Sequence, residues 1–216
     1  MFVELELRST WVVDLPDDRS SWEVFDDVSS RHREPHRRYH GLAHVLHVLR
    51  SIDELLVTNP LDDPGVVRMA AWFHDAIYDP RSATNEEDSA ALARRRLPAL
   101  EVSEPRVAEV ERLILLTAHH LTTDPGDRAA AVLLDADLAV LATEPAVYEA
   151  YRNGVRAEYA HVSDEAWRSG RSSVLRSLLD RPHLFATGVM RGREPVARAN
   201  LTAELASLRG SEPHAR

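Results

Sequence analysis

Apolar residues recur along this chain at a spacing near 3.6, and strand-like alternation is hard to find, so helices are predicted almost throughout. Pro16, Asp17 and Asp18 open an early helix carrying Trp22, Phe25 and Val28, and Pro35 then breaks the chain. From Tyr39 onward Leu42, Val45, Leu46, Leu49, Ile52 and Leu56 draw one apolar stripe, ending at Asn59 and Pro60. Another helix starts near Asp63-Pro64 and runs through Trp72 and Phe73 to about Ile77. Thr84 and Glu87 have capping-box spacing, with Thr84 as N-cap. Ser103-Glu104-Pro105 opens a helix to about His120, closed by Thr122, Thr123, Asp124, Pro125 and Gly126. Helices over 128–142, 145–160, 164–180 and 195–208 complete the pattern, and the residues from Gly210 read as a frayed tail. No repeat or linker divides the chain, so the expectation is all-α: one helical domain over 1–210 with a tail over 211–216.

Composition narrows the chemistry. A chain of 216 residues is more often one domain than two. It has no cysteine, which excludes disulfides, cysteine-ligated metals and a thiol nucleophile, and fits a reducing compartment. The N-terminus lacks the basic and apolar regions of a secretion signal, and the longest fully apolar stretch, 129–134, is far too short for a membrane span. The expected location is cytoplasmic, with no membrane partner. A formal charge of −9 disfavours nucleic acid polymers, although arginines gathered at one place can still hold a small phosphate.

Eleven histidines are unevenly spread, and His40, His44 and His47 are spaced to share one helix face beside the apolar stripe. A polar rim is the plainer account of that face and metal ligation the sharper one. His74-Asp75 follows Ala70, Ala71, Trp72 and Phe73 on a helix with apolar neighbours on nearly every side. With 11 histidines and 17 aspartates, about one such dipeptide is expected by chance, so its setting carries the weight. A buried carboxylate needs a partner, and that is a cation or an arginine. Asp135 and Asp137 sit in a helix of Ala, Val and Leu, where a solvated stripe is the plainer account and a buried functional role the sharper one, because the apolar residues leave little angular room for solvent. His119 and His120 follow an apolar run, and one of them should point inward.

Taken in order, His44, His74-Asp75 and Asp137 resemble the His…His-Asp…Asp constellation of the HD superfamily of metal-dependent phosphohydrolases. The closer resemblance is to a small bacterial branch of that superfamily, at Glu34-Pro35-His36-Arg37-Arg38-Tyr39-His40, Ala71-Trp72-Phe73-His74-Asp75 and Asn85-Glu86 with Ser89-Ala90. It continues at Leu134-Asp135-Ala136-Asp137-Leu138 and at Arg156 with Glu158-Tyr159. It spans about Tyr39 to Tyr159 and reaches more loosely to Asn200.

The resemblance implies a helical bundle of the HD type. It also implies one divalent ion held by His44, His74, Asp75 and Asp137, with Asp135 as the alternative to Asp137. Mn, Fe, Ni, Zn and Mg all suit a nitrogen–oxygen ligand set, and a second ion is open, with His119 or His120 joining Asp79 or Asp124. The implied activity is hydrolysis of a small phosphate compound, a nucleotide being the first class to test, by attack of a metal-activated water. The alternative is a non-catalytic metal- or nucleotide-binding sensor, and a third possibility is a plain helical interaction domain. Arg37, Arg38, Arg81 and Arg156 are the candidates for substrate phosphate. His119 or His120 is expected at substrate contact or proton transfer, with Glu86 and Asp79 as further candidates around the reaction. Each arginine has an ordinary surface role as its plainer account, and each histidine a core role.

Overall fold

The segment Pro64–Phe73 is apolar around almost its whole circumference, and such a helix must be covered on every side. In the computed structural model it is: Gly65, Val66, Val67 and Met69 through Phe73 are all buried. Pro64 and Arg68 are half-buried, and Arg68 reaches the carboxylates of Asp14 and Asp53. Residues 2–120, 124 and 126–209 are described. They form ten α-helices and two short 3-10 segments, with no strand among the described residues. The helices are α1 (Phe2–Asp14), α2 (Arg19–Arg31), α3 (Leu42–Leu56), α4 (Pro64–Phe73), α5 (Asn85–Arg96), α6 (Glu104–Thr117), α7 (Arg128–Asp137), α8 (Pro145–Glu158), α9 (Asp164–Leu179) and α10 (Gly188–Arg209). The expected loop residues Thr122, Thr123 and Pro125, and the expected tail from Gly210, lie outside the described residues. No helix among the described residues is long and apolar enough to cross a membrane.

The chain divides into two compact units, Met1–Asp137 and Leu138–Arg216. In the first, α4 is the axis against which α1, α3, α5, α6 and α7 pack. An aromatic cluster fixes its position: Trp11 of α1, Phe25 of α2 and Trp72 of α4 meet edge to face at centroid separations of 5.5, 5.1 and 5.7 Å. Trp11 also donates its indole N–H to Ser21 Oγ at 2.8 Å, so the ring buries no unpaired donor. In α3, Val45, Leu46, Val48, Leu49, Ile52 and Leu55 are buried, and α3 packs on both α4 and α7.

In the second unit α9 packs on α10 through a buried ion pair, in which Arg171 forks onto Glu204 at 2.8 and 3.1 Å and Tyr148 donates its hydroxyl to the same carboxylate. Asn200 of α10 donates to Leu141 O and Thr143 O, which ties α10 to the 3-10 segment Leu138–Ala142.

Four local readings need correction. Helix α1 was not foreseen, because only Leu7 and Trp11 of its apolar residues are buried while Phe2, Leu5 and Val13 face outward. Helix α10 begins seven residues before Pro195, at Gly188, with Thr187 Oγ1 accepting from Met190 N at its start. The capping box at Thr84 does not form: Thr84 precedes α5, but its hydroxyl donates to Asp88. Helix α4 stops at Phe73, so His74 and Asp75 stand just beyond its end.

The aromatic cluster yields the first expected outcome. Phe25→Ala should lower stability in urea unfolding by about 3–5 kcal/mol. Phe2→Ala, at a side chain 83% exposed, should stay within about 0.5 kcal/mol of wild type. Equal losses in the two variants would contradict the packing described.

Candidate metal centre

Three helix ends bring the candidate ligands together. His44 lies in the first turn of α3, which opens at Gly41. His74 caps the end of α4 and Asp75 follows it. Asp137 is the last residue of α7. The carbonyl ends of α4 and α7 carry partial negative charge, which favours a cation between them.

His44 Nε2 and His74 Nε2 stand 3.0 Å apart. Asp75 Oδ2 is 3.3 Å from the first and 3.2 Å from the second. Asp137 Oδ1 is 3.3 Å from His44 Nε2 and 3.6 Å from His74 Nε2. Donors arranged tetrahedrally or octahedrally around one ion at about 2.0–2.2 Å lie about 2.9–3.6 Å from their neighbours. The observed separations fall in that range, and His44, His74 and Asp75 form a group that could hold a metal ion. Asp137 reaches both histidines from α7. Asp135 is buried on the same helix.

Ring orientation fits ligation as well. His74 Nδ1 donates to Ala71 O at 2.8 Å, which leaves the Nε2 lone pair directed at the cluster. The histidine side chains are 1% exposed, against 17% for Asp75 and 12% for Asp137, so the accessible edge of the group is its carboxylate side. His120 stands on that edge. Its Nε2–H donates to Asp137 Oδ2 at 2.6 Å. The backbone there is left-handed, with φ of 48°, and His120 N bonds Leu116 O to end α6. Histidine is among the residues that tolerate this conformation, and the turn swings its ring toward α7.

Charge on the group is strongly coupled. Burial opposes ionisation of Asp75 and Asp137, yet the imidazoles of His74 and His44, joined at Asp137 by His120, hold both carboxyls well below their ordinary value. Burial also opposes protonation of His74 and His44, yet the two carboxylates raise His74 well above its ordinary value and His44 above its own. Two ring nitrogens 3.0 Å apart form a hydrogen bond only when one holds a proton and the other a lone pair. A dication held there would take the place of that proton and offset the carboxylate charge.

The other predicted residues have different places. Arg37 is buried, donating to Glu34 and to the carbonyls of His40, Asp75 and Ala76, so its fork is engaged by protein rather than open to phosphate. Arg156 belongs to the second unit, where it bonds Tyr159 O, Val162 O and Asp164 at the α8–α9 corner. Asp79 is exposed and shapes its own turn, accepting from Arg81 N at 2.9 Å. Asp124 likewise accepts from Gly126 N, at 2.7 Å. Glu86 lies half-buried in the first turn of α5 and makes no hydrogen bond or ion pair among the described residues. Arg38, Arg81 and His119 are exposed. Two other histidines stand nearer the cluster than their ranking in the sequence suggested. His40, before the start of α3, packs edge-on to His44 at 5.6 Å and helps to hold Asp75 ionised. His47 has a buried Nε2 with no hydrogen-bond partner among the described residues, and burial, then His44, lowers its pKa. Their three- and four-residue spacing from His44 was the signal.

In comparisons with known proteins, no family model matches the chain, and neither does any curated protein or solved structure. The class is therefore the one that fold and site define: an all-helical protein with a buried His–His–Asp group able to hold a metal ion.

Two outcomes follow. Asp137→Asn should weaken uptake of a divalent ion far more than Asp135→Asn, and equal losses would remove Asp137 from the centre. In metal-free protein the raised histidines stabilise the fold fully below their unfolded value of about 6.5, and that contribution fades as pH climbs through their folded values. The depressed carboxylates stabilise it above about 3.8, and their contribution is lost as pH falls through their folded values. Metal-free protein should thus melt lower at pH 8.5 than at pH 6, and added metal should raise the melting temperature more at pH 8.5, where protons compete less. A metal-free melting temperature unchanged over that interval would contradict the charge coupling.

Proposed function

We propose that this chain is a metal-dependent phosphohydrolase of the HD type acting on a small phosphate compound, with nucleotides the first substrate class to test. The observation that carries the reading is the His44–His74–Asp75 group, whose donors lie close enough to share an ion, with Asp137 reaching both imidazoles and a third imidazole, His120, on the accessible edge. His44, His74, Asp75 and Asp137 would hold the ion. When bound, a divalent ion there supplies a Lewis acid for a phosphoryl oxygen and brings the pKa of a water toward neutrality.

The remaining work falls to the chain's own side chains. Asp137 orients His120, whose ring can pass a proton to the leaving oxygen of a substrate seated on the carboxylate edge. Arg38 and Arg81 stand exposed in the segments that lead into α3 and out of the His74-Asp75 turn, where a guanidinium fork suits phosphate oxygens.

Phosphate release from a panel of nucleotides and simple phosphate esters, with and without added Mn or Mg, tests this reading. Wild-type release should depend on metal. His120→Ala should lower turnover roughly 10²-fold or more, the usual size of a proton-transfer effect, with the ion retained, while His119→Ala should stay near wild type. Full metal occupancy with no release from any substrate would replace the enzyme by a non-catalytic metal-binding sensor.

A further inference from the structure

The segment that bears His74 and Asp75 begins where α4 ends, and a helix end leaves its last carbonyls without intrahelical partners. Here they find partners one after another. Ala70 O accepts from His74 N, Ala71 O from His74 Nδ1, and Phe73 O from Ala76 N. Trp72 O accepts from His32 Nε2 at 3.3 Å. Asp75 O and Ala76 O accept from Arg37 Nη1 and Nη2 at 2.6 and 3.1 Å. Beyond them Ser89 Oγ donates to Ile77 O, and His36 Nε2 to Tyr78 O.

Within this framework Arg37 has a special position. Its Nη1 also donates to His40 O at 3.0 Å, so one nitrogen bridges the approach to α3, which carries His44, and the main chain of Asp75. Its side chain is 1% exposed, its Nε is fixed by Glu34 at 3.1 Å, and its guanidinium lies over the ring of Tyr78. His32 makes a second link between the same two stretches. Its ring bonds Trp72 O, while its own carbonyl lies 3.1 Å from where a Cβ on Gly41, the N-cap of α3, would stand. Burial, then the charge of Arg37, holds its pKa down at about 3, so the ring stays neutral.

We propose that Arg37 and His32 are positioning residues of the metal centre, clamping the peptide around His74 and Asp75 to the start of α3 so that the donors of His44 and Asp75 keep a fixed separation. The proposal deepens the metal-centre reading above and rests on it. It also gives the buried guanidinium of Arg37 a role other than phosphate binding. A lysine at position 37 keeps the charge but, with a single ammonium in place of the fork, cannot serve all three carbonyls. At position 32, glutamine presents an N–H near the site of Nε2 and leucine presents none.

The test measures affinity for Zn or Mn by chelator competition in the full chain, well below the melting temperature, with folding checked by circular dichroism. Arg37→Lys and His32→Leu should each bind about tenfold to a hundredfold more weakly, the range seen when groups that orient metal ligands are removed. His32→Gln should recover most of the loss, and Val107→Ala, a buried position near the start of α6 and remote from the segment, should keep wild-type affinity. Wild-type affinity in both Arg37→Lys and His32→Leu overturns the proposal. So does an equal loss in Val107→Ala, which would make the effect one of general stability. Should Arg37→Lys fail to fold, the leucine and glutamine variants at position 32 decide alone. If the wild type takes up no metal, the metal-centre reading falls, and amide exchange over 74–78 still tests the clamp. Exchange at least about tenfold faster in His32→Leu, confined to that segment, supports it, and unchanged exchange overturns it.

Discussion

Two carboxylates and two imidazoles lie against one another where α3, α4 and α7 meet, and the rest of the first unit is arranged around that burial. Removing charged groups from water costs several kcal/mol per ion even after relaxation, and only closely placed opposite charge offsets it. The histidines and aspartates provide this for each other in part, through a shared proton and depressed carboxyls. The aromatic contacts of Trp72 fix α4 by shape, while the group at its end is fixed by charge.

The same demand sorts the arginines. A guanidinium has five donors and no acceptor, so a buried one must find several oxygens. Arg37 finds three carbonyls and Glu34, and Arg171 in the second unit finds Glu204 and Tyr151. Both are structural for that reason. Arg38 and Arg81, by contrast, are exposed. An arginine close in sequence to a metal ligand is thus a poor guide to substrate contact until its burial is known.

Proton traffic is similarly constrained. His120 owes its position to a left-handed residue at the end of α6, a conformation that costs roughly 1–2 kcal/mol for a residue with a Cβ. That turn separates it from His119, which is exposed, although the two are neighbours in the chain. The hydrogen bond to Asp137 then joins a ring on the accessible edge to a carboxylate in contact with both buried histidines.

Much of this was written in the pattern of apolar positions. The stripe from Leu42 to Ile52 and the run from Ala70 to Phe73 determine helices that must be buried, and polar groups embedded in them must be compensated. That argument reaches His74, Asp75 and the aspartates of α7 as polar groups among apolar neighbours, whereas His44 is singled out from His40 and His47 only by the resemblance to the HD superfamily. Helix α1 was not legible, since two buried side chains in thirteen residues leave almost no periodic signal. Three matters waited for the tertiary structure: that α4 ends at Phe73 and so turns Asp75 toward His44, that Asp137 reaches both histidines, and that the His120 ring turns to Asp137 while His119 is exposed. Each depends on where a helix stops or how it is rotated against its neighbours. Local sequence fixes those only to within a residue or two, and one residue is about 100° of rotation around a helix.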